Sequence, residues 1–219
     1  MVYHIISLFP KAFDSYLNES ILKRAIEDKK IKVNFYNPRE FTESQKTYSD
    51  RRVDDRPYGG GPGMIIEALP VIKAIEKAIG KKSIKRKIKI IWFTPSGMIF
   101  DTGKAKVYAN KYTDIVFICG RYEGIDARVK KIFKVEELSI GQFVLTGGEL
   151  PAMVLIDSIS RQIKGVLGTF DSLEENRIAS HNVYTRPEVL KYKGKSYNVP
   201  KILLSGNHKL IDEWKKEQQ

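Results

Sequence analysis

Short apolar runs alternate with longer amphipathic segments along the first three quarters of the chain. Apolar runs predict strands covered on both faces of a sheet, whereas apolar residues at helical spacing predict helices packed against it. The strands are predicted at 2–8, 31–36, 88–93, 115–119 and 143–145. The helices are predicted at 13–29, 70–78, 102–110, 125–132 and 150–163. Because strands alternate with helices, the sequence predicts an α/β fold with a largely parallel sheet.

Two segments depart from this alternation. Residues 37–63 are polar, lack periodicity and end in the glycine-rich run Arg56–Gly63. A long segment of this kind inside a domain is typical of a functional lid or lip. After Lys164 the alternation stops. We therefore predict a domain of residues 1–164, a polar linker at 165–185, and a small α-helical C-terminal domain at 186–219 with Trp214 as its core anchor.

Composition and charge narrow the class of protein. The chain has 219 residues, of which 42% are hydrophobic, enough for one sizeable core and a small appendage. Its 38 Lys and Arg against 26 Asp and Glu give a net charge of +12, which predicts a polyanionic partner, with nucleic acid ahead of a membrane. A single cysteine excludes a disulfide framework, and the three histidines lack the spacing of zinc ligands. With no apolar segment of membrane-spanning length, we expect a cytoplasmic protein.

Glycine clusters follow three of the predicted strands. They are Thr94–Gly97, Cys119–Gly124 and Thr146–Gly148. Ligands of open α/β sheets bind outside the carboxyl ends of the strands, so the three loops are predicted to form one pocket. The run Gly59–Gly63 lacks the Lys-Ser/Thr pair of a phosphate-binding loop, and no strand leads into Gly-x-Gly-x-x-Gly. Backbone amides and apolar side chains without phosphate-binding groups favour an adenine or nucleoside-like ligand.

Six motifs carry a resemblance to a known family. They are Ser7–Pro10, Asp54–Met64, Cys119–Asp126, Ser139–Ala152, Tyr184–Leu190 and Leu204–His208. With them the chain resembles the bacterial tRNA (guanosine-37-N1)-methyltransferases over nearly its whole length. The resemblance implies a SPOUT-type α/β domain with a deep C-terminal trefoil knot, S-adenosylmethionine as methyl donor, a homodimer, and a C-terminal domain that helps to hold tRNA.

The resemblance also assigns residues to the cofactor, and they fall on the three glycine-containing loops. These residues are Trp92, Phe93, Thr94, Pro95, Gly97, Gly120, Tyr122, Gly124, Ile140, Gly141, Gln142, Phe143, Val144, Leu145, Gly147 and Gly148. Two independent lines of reasoning therefore predict the same pocket.

Guanine N1 carries a proton, so its methylation needs a base, and the negative charge that develops on O6 needs a cationic or hydrogen-bonding partner. The resemblance assigns the cationic role to Arg161. It places Glu123 near the methyl-transfer site, where the family is also thought to use Mg²⁺.

The general base is the point at which the chain departs from the family pattern. The catalytic aspartate of the family falls on Asn176, and an amide cannot accept the proton as a carboxylate does. Three alternatives remain: Glu175 is the base, another acid such as Asp171 or Glu174 has replaced it, or the protein binds cofactor and tRNA with weak catalysis. Of these, Glu175 is favoured.

The resemblance further implies tRNA contacts in two regions. In the long polar loop these are Asp50, Asp54, Arg56 and Tyr58, and near the C-terminus they are Arg186 and His208. Lysines interleave with Tyr192 and Tyr197 in the C-terminal region, a composition that suits a splayed RNA loop. A ribose 2′-OH methyltransferase of the same superfamily is a further alternative, and the motifs favour the guanine-N1 group over it.

Overall fold

A parallel sheet of five strands forms the centre of the larger of two structural units. The computed structural model describes residues 1–42, 51–80, 86–168 and 182–218, and it divides into Met1–Leu167 and Gly168–Gln219. The strands of the larger unit are β1 (Val2–Ile6), β2 (Lys32–Tyr36), β3 (Asp54–Asp55), β4 (Ile65–Ile66), β5 (Ile88–Ile99), β6 (Asp114–Ile118) and β7 (Glu136–Ser139). The sheet has the order β2-β1-β6-β5-β7 with every pair parallel, and β3 pairs with β4 in a separate antiparallel ribbon.

Helices cover both faces of this sheet. They are α1 (Asp14–Leu17), α2 (Ser20–Glu27), α3 (Ala68–Ile79), α4 (Thr102–Lys111), α5 (Arg128–Ile132) and α6 (Glu149–Arg161), with short 3-10 turns at Pro10–Phe13 and Pro38–Phe41. The central strand β6 is buried throughout, and its alternate side chains enter two different cores. Ile115 and Phe117 pack with side chains of α2, α4 and α6, whereas Val116 and Ile118 pack with side chains of α3 and α5. The α/β fold with a largely parallel sheet is therefore confirmed.

The last strand of the sheet is not where the sequence predicts it. Residues 143–145 form no strand, and β7 lies earlier, at Glu136–Ser139. Two glutamates open β7 and conceal its apolar character, while Leu138 is completely buried against β5. Val144 is 83% exposed, so the apolar residues around it belong to a loop and not to a strand of the sheet.

The predicted helix at 13–29 is also interrupted. The structure has α1 and α2 in its place, with a break at Asn18 and Glu19. Ser20, the first residue of α2, has a φ of 48°, which a continuous helix cannot contain. Apolar spacing survives such a break because both short helices bury side chains in the same core.

A polar cluster lies at the start of β6, at the opposite end of that strand from Cys119. Asp114 accepts hydrogen bonds from Arg86 Nη2 at 2.6 Å and Thr113 Oγ1 at 2.6 Å. Its Oδ1 also lies 3.0 Å from Nε2 of His4, whose Nδ1 is 3.0 Å from the Tyr36 hydroxyl. Burial alone would raise the pKa of the Asp114 carboxyl, but the hydrogen bonds lower this pKa to about 2. Burial lowers the pKa of His4, against the opposing effect of Asp114.

The smaller unit contains a hairpin before its helices. Strands β8 (Val189–Tyr192) and β9 (Lys195–Asn198) pair in antiparallel register, followed by α7 (Lys201–Leu204) and α8 (His208–Glu217). The purely helical domain that the sequence predicts is therefore wrong in part, because the exposed lysines of the hairpin hide the period-two pattern of a strand. Trp214 lies 6.4 Å from Tyr184, measured between ring centroids. Within the described ranges, no helix has the length and apolarity to cross a bilayer.

Candidate functional site

A cavity of about 420 Å³ lies beside residues 92–95 of β5 and at the carboxyl ends of β6 and β7. Its size is in the range of pockets that hold drug-sized ligands, about 300–1,000 Å³. All the predicted cofactor residues line it except Gly97 and Gln142. Further lining residues, to which the sequence assigned no cofactor role, are Arg121, Ile125, Leu138, Ser139, Thr146 and Pro151, together with the predicted catalytic Glu123. The three glycine-containing loops thus meet around a single space.

The first wall is a four-residue excursion from β5. Phe93 and Met98 both pair with Leu138 of β7, so residues 94–97 leave the ladder and return to the same partner. A Cβ on Gly97 would lie 2.7 Å from the backbone of Glu137 and Leu138, so only glycine lets the excursion rejoin the sheet. Gly97 therefore packs against β7 on the side away from the cavity, while Trp92, Thr94 and Pro95 line the cavity.

The second wall is the loop that follows β6. Tyr122 has a φ of 59° and Gly124 a φ of 126°, and a non-glycine residue in the left-handed region marks a backbone held by its surroundings. Here the surroundings are Met64 and Ile66, which closely follow the glycine-rich run Arg56–Gly63. The amide of Glu123 donates to the carbonyl of Met64 at 3.0 Å, and the amide of Ile66 donates to the carbonyl of Gly124 at 3.0 Å.

Glu123 and the glycine-rich loop are packed together closely, so that a side chain on Gly63 would displace the side chain of Glu123. A Cβ on Gly63 would lie 2.7 Å from Cγ and Oε1 of Glu123. The loop predicted to contact tRNA and the carboxylate predicted to act near the transferred methyl group are therefore neighbours. Within that loop Asp54 pairs with Ile66, and Tyr58 is fully exposed at its tip.

The third wall runs from Ser139 to the start of α6. The amide of Gly148 donates to the carbonyl of Gly120 at 3.0 Å, and Arg121 and Gly147 form an antiparallel bridge. A Cβ on Gly148 would lie 2.6 Å from Cα of Cys119, a contact between two main chains that no side-chain movement can relieve. The second and third walls are therefore in direct backbone contact.

A buried ion pair crosses this contact. Nε of Arg121 lies 3.0 Å from Oε2 of Glu149, whose side chain is only 3% exposed. Oε1 of Glu149 accepts a hydrogen bond from Ser7 Oγ at 2.6 Å, and Ser7 Oγ accepts one from the amide of Phe9 at 2.9 Å. The guanidinium of Arg121 lies 4.7 Å from the centroid of the Phe9 ring. These residues lie within the motifs of the resemblance, but the motifs alone assign none of them a role.

Arg161 is not in this cavity. It lies at the last turn of α6, in a groove of about 560 Å³ lined by Ser15, Tyr16, Leu150, Met153, Val154, Asp157 and Ser158. Pro151 of α6 lines the first cavity, and the ten residues to Arg161 span roughly 15 Å at 1.5 Å per residue. The groove is largely apolar, although the Tyr16 hydroxyl donates a hydrogen bond to Asp157 within it.

The remaining predicted residues divide into two groups. Arg56, Arg186 and His208 are exposed, with His208 at the start of α8. Asp50, Glu175 and Asn176 lie outside the described residues, as do the alternatives Asp171 and Glu174. No three His, Cys, Asp or Glu side chains come together as a metal site in the described part of the chain, and Mg²⁺ near Glu123 stays a prediction.

The lining of the cavity fits S-adenosylmethionine. Trp92, Phe143 and Leu145 offer an apolar surface for a nucleoside, and the Glu123 carboxylate lines the same space, where it can attract a sulfonium cation. Gly120, Gly141, Gly147 and Gly148 also line this space. At Gly147 and Gly148 the missing Cβ makes room for Arg121, Glu149 and Cys119, so these two glycines let the walls pack together.

Comparison with known proteins identifies relatives over the whole chain. The family described as tRNA (Guanine-1)-methyltransferase TrmD matches residues 1–219. A tRNA (guanine-N(1)-)-methyltransferase of Clostridioides difficile is 43% identical, over all of this chain and 92% of its own length. Proteins of the same name from Photobacterium profundum and Buchnera aphidicola are 45% and 43% identical, over 98% and 99% of this chain and 83% and 88% of their own lengths. The chain belongs to the tRNA (guanine-1)-methyltransferase family.

Proposed function

We propose that this protein transfers a methyl group from S-adenosylmethionine to N1 of guanosine-37, on the 3′ side of the anticodon, in tRNA. The observation that carries the proposal is the cavity beside residues 92–95 of β5 and the ends of β6 and β7, which is lined by most of the residues that the family pattern assigns to the cofactor. S-adenosylmethionine supplies an electrophilic methyl group on a leaving group that departs neutral. The protein therefore needs a base for N1, a cation for O6 and correct orientation, and no acid for the leaving group.

Arg161 supplies the cation in this proposal. Its guanidinium cation offers hydrogen bonds to the O6 oxygen as negative charge develops there. The base is an acid of the segment 171–176, with Glu175 favoured over Asp171 and Glu174. Asn176 supports the alternative of a weakly catalytic protein. The two alternatives can be distinguished by measurement, because Asn176→Asp would raise the rate of methyl transfer only if the protein is weakly catalytic.

The position of Arg161 supports a homodimer as part of this proposal. A separation of roughly 15 Å along α6 exceeds the reach of one arginine side chain, so the Arg161 of one copy serves the cavity of another. The groove beside Arg161 supports this, since Leu150 and Val154 are about half exposed on an apolar face that a second copy would cover.

The knot and the tRNA contacts are further parts of the proposal. The backbone contact between Gly148 and Gly120 supports a chain threaded through its own loop at the third wall. The smaller unit supports a role in holding RNA, because Lys195, Tyr192 and Tyr197 lie on one face of the exposed hairpin. Basic and aromatic side chains in this combination stack and neutralise single-stranded RNA.

The test is transfer of labelled methyl from S-adenosylmethionine to tRNA bearing guanosine-37, followed by nuclease mapping of the modified nucleotide. We expect N1-methylguanosine at that position, and a loss of at least about a hundredfold in rate for Arg161→Ala. Arg128→Ala, which removes an exposed arginine on α5, is the matched control. Incorporation at background with the intact protein, or label on a ribose hydroxyl, would refute the assignment.

A mixing experiment tests the dimer and the role of Arg161 together. Arg161→Ala and Gly148→Ala are expected to be inactive for different reasons, one at the cation and the other at the cavity. If the sites form between copies, dimers containing one of each variant regain one intact site, and the mixture recovers about a quarter of the parent activity. No recovery on mixing, with exchange of copies verified by native mass spectrometry, would contradict a shared site.

A further inference from the structure

The ion pair between Arg121 and Glu149 connects three segments that are distant in the sequence. Ser7 and Phe9 follow β1, Arg121 follows β6, and Glu149 begins α6. Oε1 of Glu149 accepts a hydrogen bond from Ser7 Oγ at 2.6 Å. Its Oε2 lies 3.0 Å from Arg121 Nε as an ion pair without hydrogen-bond geometry, and among the described residues neither of these two buried atoms has a hydrogen-bond partner. Arg121 continues the connection, because its Nη1 donates to the carbonyl of Thr146 at 3.3 Å.

The space around this pair is filled. A Cβ on Gly147 would overlap both Arg121 and Glu149, so the backbone of the third wall lies directly against the pair. Phe9 covers the guanidinium of Arg121 from one side. These side chains reinforce the backbone contact between the second and third walls, so the two walls cannot separate here without breaking the pair.

We propose that Arg121 and Glu149 are positioning residues that fix the width of the cofactor cavity, so that their pairing sets how tightly S-adenosylmethionine is held. The inference rests on the proposed function, and it assigns neither residue to the reacting groups. Its consequence is a specific kinetic pattern. Loss of the pair weakens cofactor binding, whereas the rate at saturating cofactor depends on the guanine-contacting groups and changes little.

The chemistry of a buried pair makes the proposal testable by charge removal. If Arg121 alone is replaced by glutamine, the Glu149 carboxylate stays buried with one partner fewer, and the walls must separate to let water reach it. If both residues become glutamine, two neutral amides of similar shape remain, and each can donate to and accept from the other. Arg121→Gln should therefore be worse than the double variant.

The experiment measures the dissociation constant for S-adenosylmethionine, with kcat and KM determined in parallel. Trp214→Phe leaves Trp92, in the cavity wall, as the only tryptophan and so as the fluorescent reporter. In that background the variants are Arg121→Gln, Glu149→Gln, the double variant, and Arg128→Gln as an exposed arginine of another ion pair. We expect Arg121→Gln to weaken binding by at least about tenfold with kcat within about threefold of the parent, and Arg128→Gln to change binding less than about twofold.

Recovery in the double variant to within about threefold of the parent would support the pair. The inference is overturned if Arg121→Gln binds as tightly as Arg128→Gln, if its defect is in kcat alone, or if the double variant shows the product of the single defects. Should Arg121→Gln not fold, Ser7→Ala removes one hydrogen bond to Glu149 and keeps the ion pair. It should weaken binding about threefold, and unchanged binding overturns the inference. A parent protein that binds no S-adenosylmethionine overturns the proposed function and this inference together, whereas a parent that binds leaves the inference to be decided by the variants.

Discussion

Replacement of Asp114 by asparagine should destabilise the larger unit by roughly 2.5 kcal/mol at neutral pH, although Asp114 lies at the opposite end of β6 from the cavity. The carboxyl is 7% exposed and accepts hydrogen bonds from Arg86 and Thr113. Its pKa falls from the ordinary 3.8 to about 2, and one pKa unit corresponds to about 1.4 kcal/mol, which gives this figure. Asparagine keeps the shape of the side chain but removes the charge that these donors stabilise.

The sign of the pH dependence follows from the direction of the pKa change. Because the folded pKa lies below the unfolded one, the stabilisation is complete above about pH 4 and is lost as the pH falls to about 2. Urea denaturation of the parent and of Asp114→Asn, between pH 7 and pH 2.5, measures the difference in unfolding free energy at each pH. That difference should shrink over the acid end of this range.

Asp126→Asn is the matched control for this experiment. Asp126 pairs with Arg128 on the surface, and an asparagine there can still accept the hydrogen bond from the Arg128 amide. The control should cost less than about 1 kcal/mol, as exposed ion pairs do. The reasoning is refuted if Asp114→Asn costs no more than Asp126→Asn, or if its cost is the same at pH 7 and pH 2.5.

Three further predictions concern the core and the cavity. Burial lowers the pKa of His4 below its ordinary 6.5, so the unfolding free energy should decrease as the pH falls below about 6.5, and urea denaturation should show a smaller decrease for His4→Gln. Gly148→Ala should weaken S-adenosylmethionine binding at least about tenfold, measured by calorimetry, because its Cβ would lie 2.6 Å from Cα of Cys119; Gly168→Ala, with nothing within 4 Å, should not. Burial raises the pKa of the Cys119 thiol, so iodoacetamide at pH 8 should label it in urea and not in the native protein, and rapid native labelling would show that the second wall opens.

The strands that the sequence predicts well are those in which apolar residues predominate. All five residues of β6 and four of the five in β1 are buried, and no helical spacing competes with them. β7 escapes prediction because Glu136 and Glu137 form half of it, and their carboxylates find partners in Lys89 and Lys130. Apolar residues around Phe143 predict a strand wrongly, because there they line a cavity. An apolar run therefore indicates that its side chains contact an apolar surface. It does not indicate whether its backbone pairs with another strand.

The cavity is predictable from the sequence because glycines mark the ends of the strands that form it. The connection between Ser7 and Glu149 is not predictable in this way. These residues are 142 positions apart, and each alone resembles an ordinary polar residue near a turn. Only the folded chain shows that one carboxylate is shared by two distant segments. Arg161 is a similar case, since its chemistry is evident from the motif but its distance from the cavity depends on the length of α6.

In most strands, the residues that present a surface to a ligand also set the pairing register of the sheet. In β5 the excursion of residues 94–97 separates these two properties. Since Phe93 and Met98 both pair with Leu138, the number of residues between them does not enter the hydrogen-bond count of the sheet. Insertions or substitutions ahead of Gly97 can reshape the ligand-facing surface while the ladder on either side keeps its register. Variation among descendants of this chain can therefore accumulate at one wall of the pocket without disrupting the core. Gly97 cannot vary in this way, because it packs against the backbone of β7.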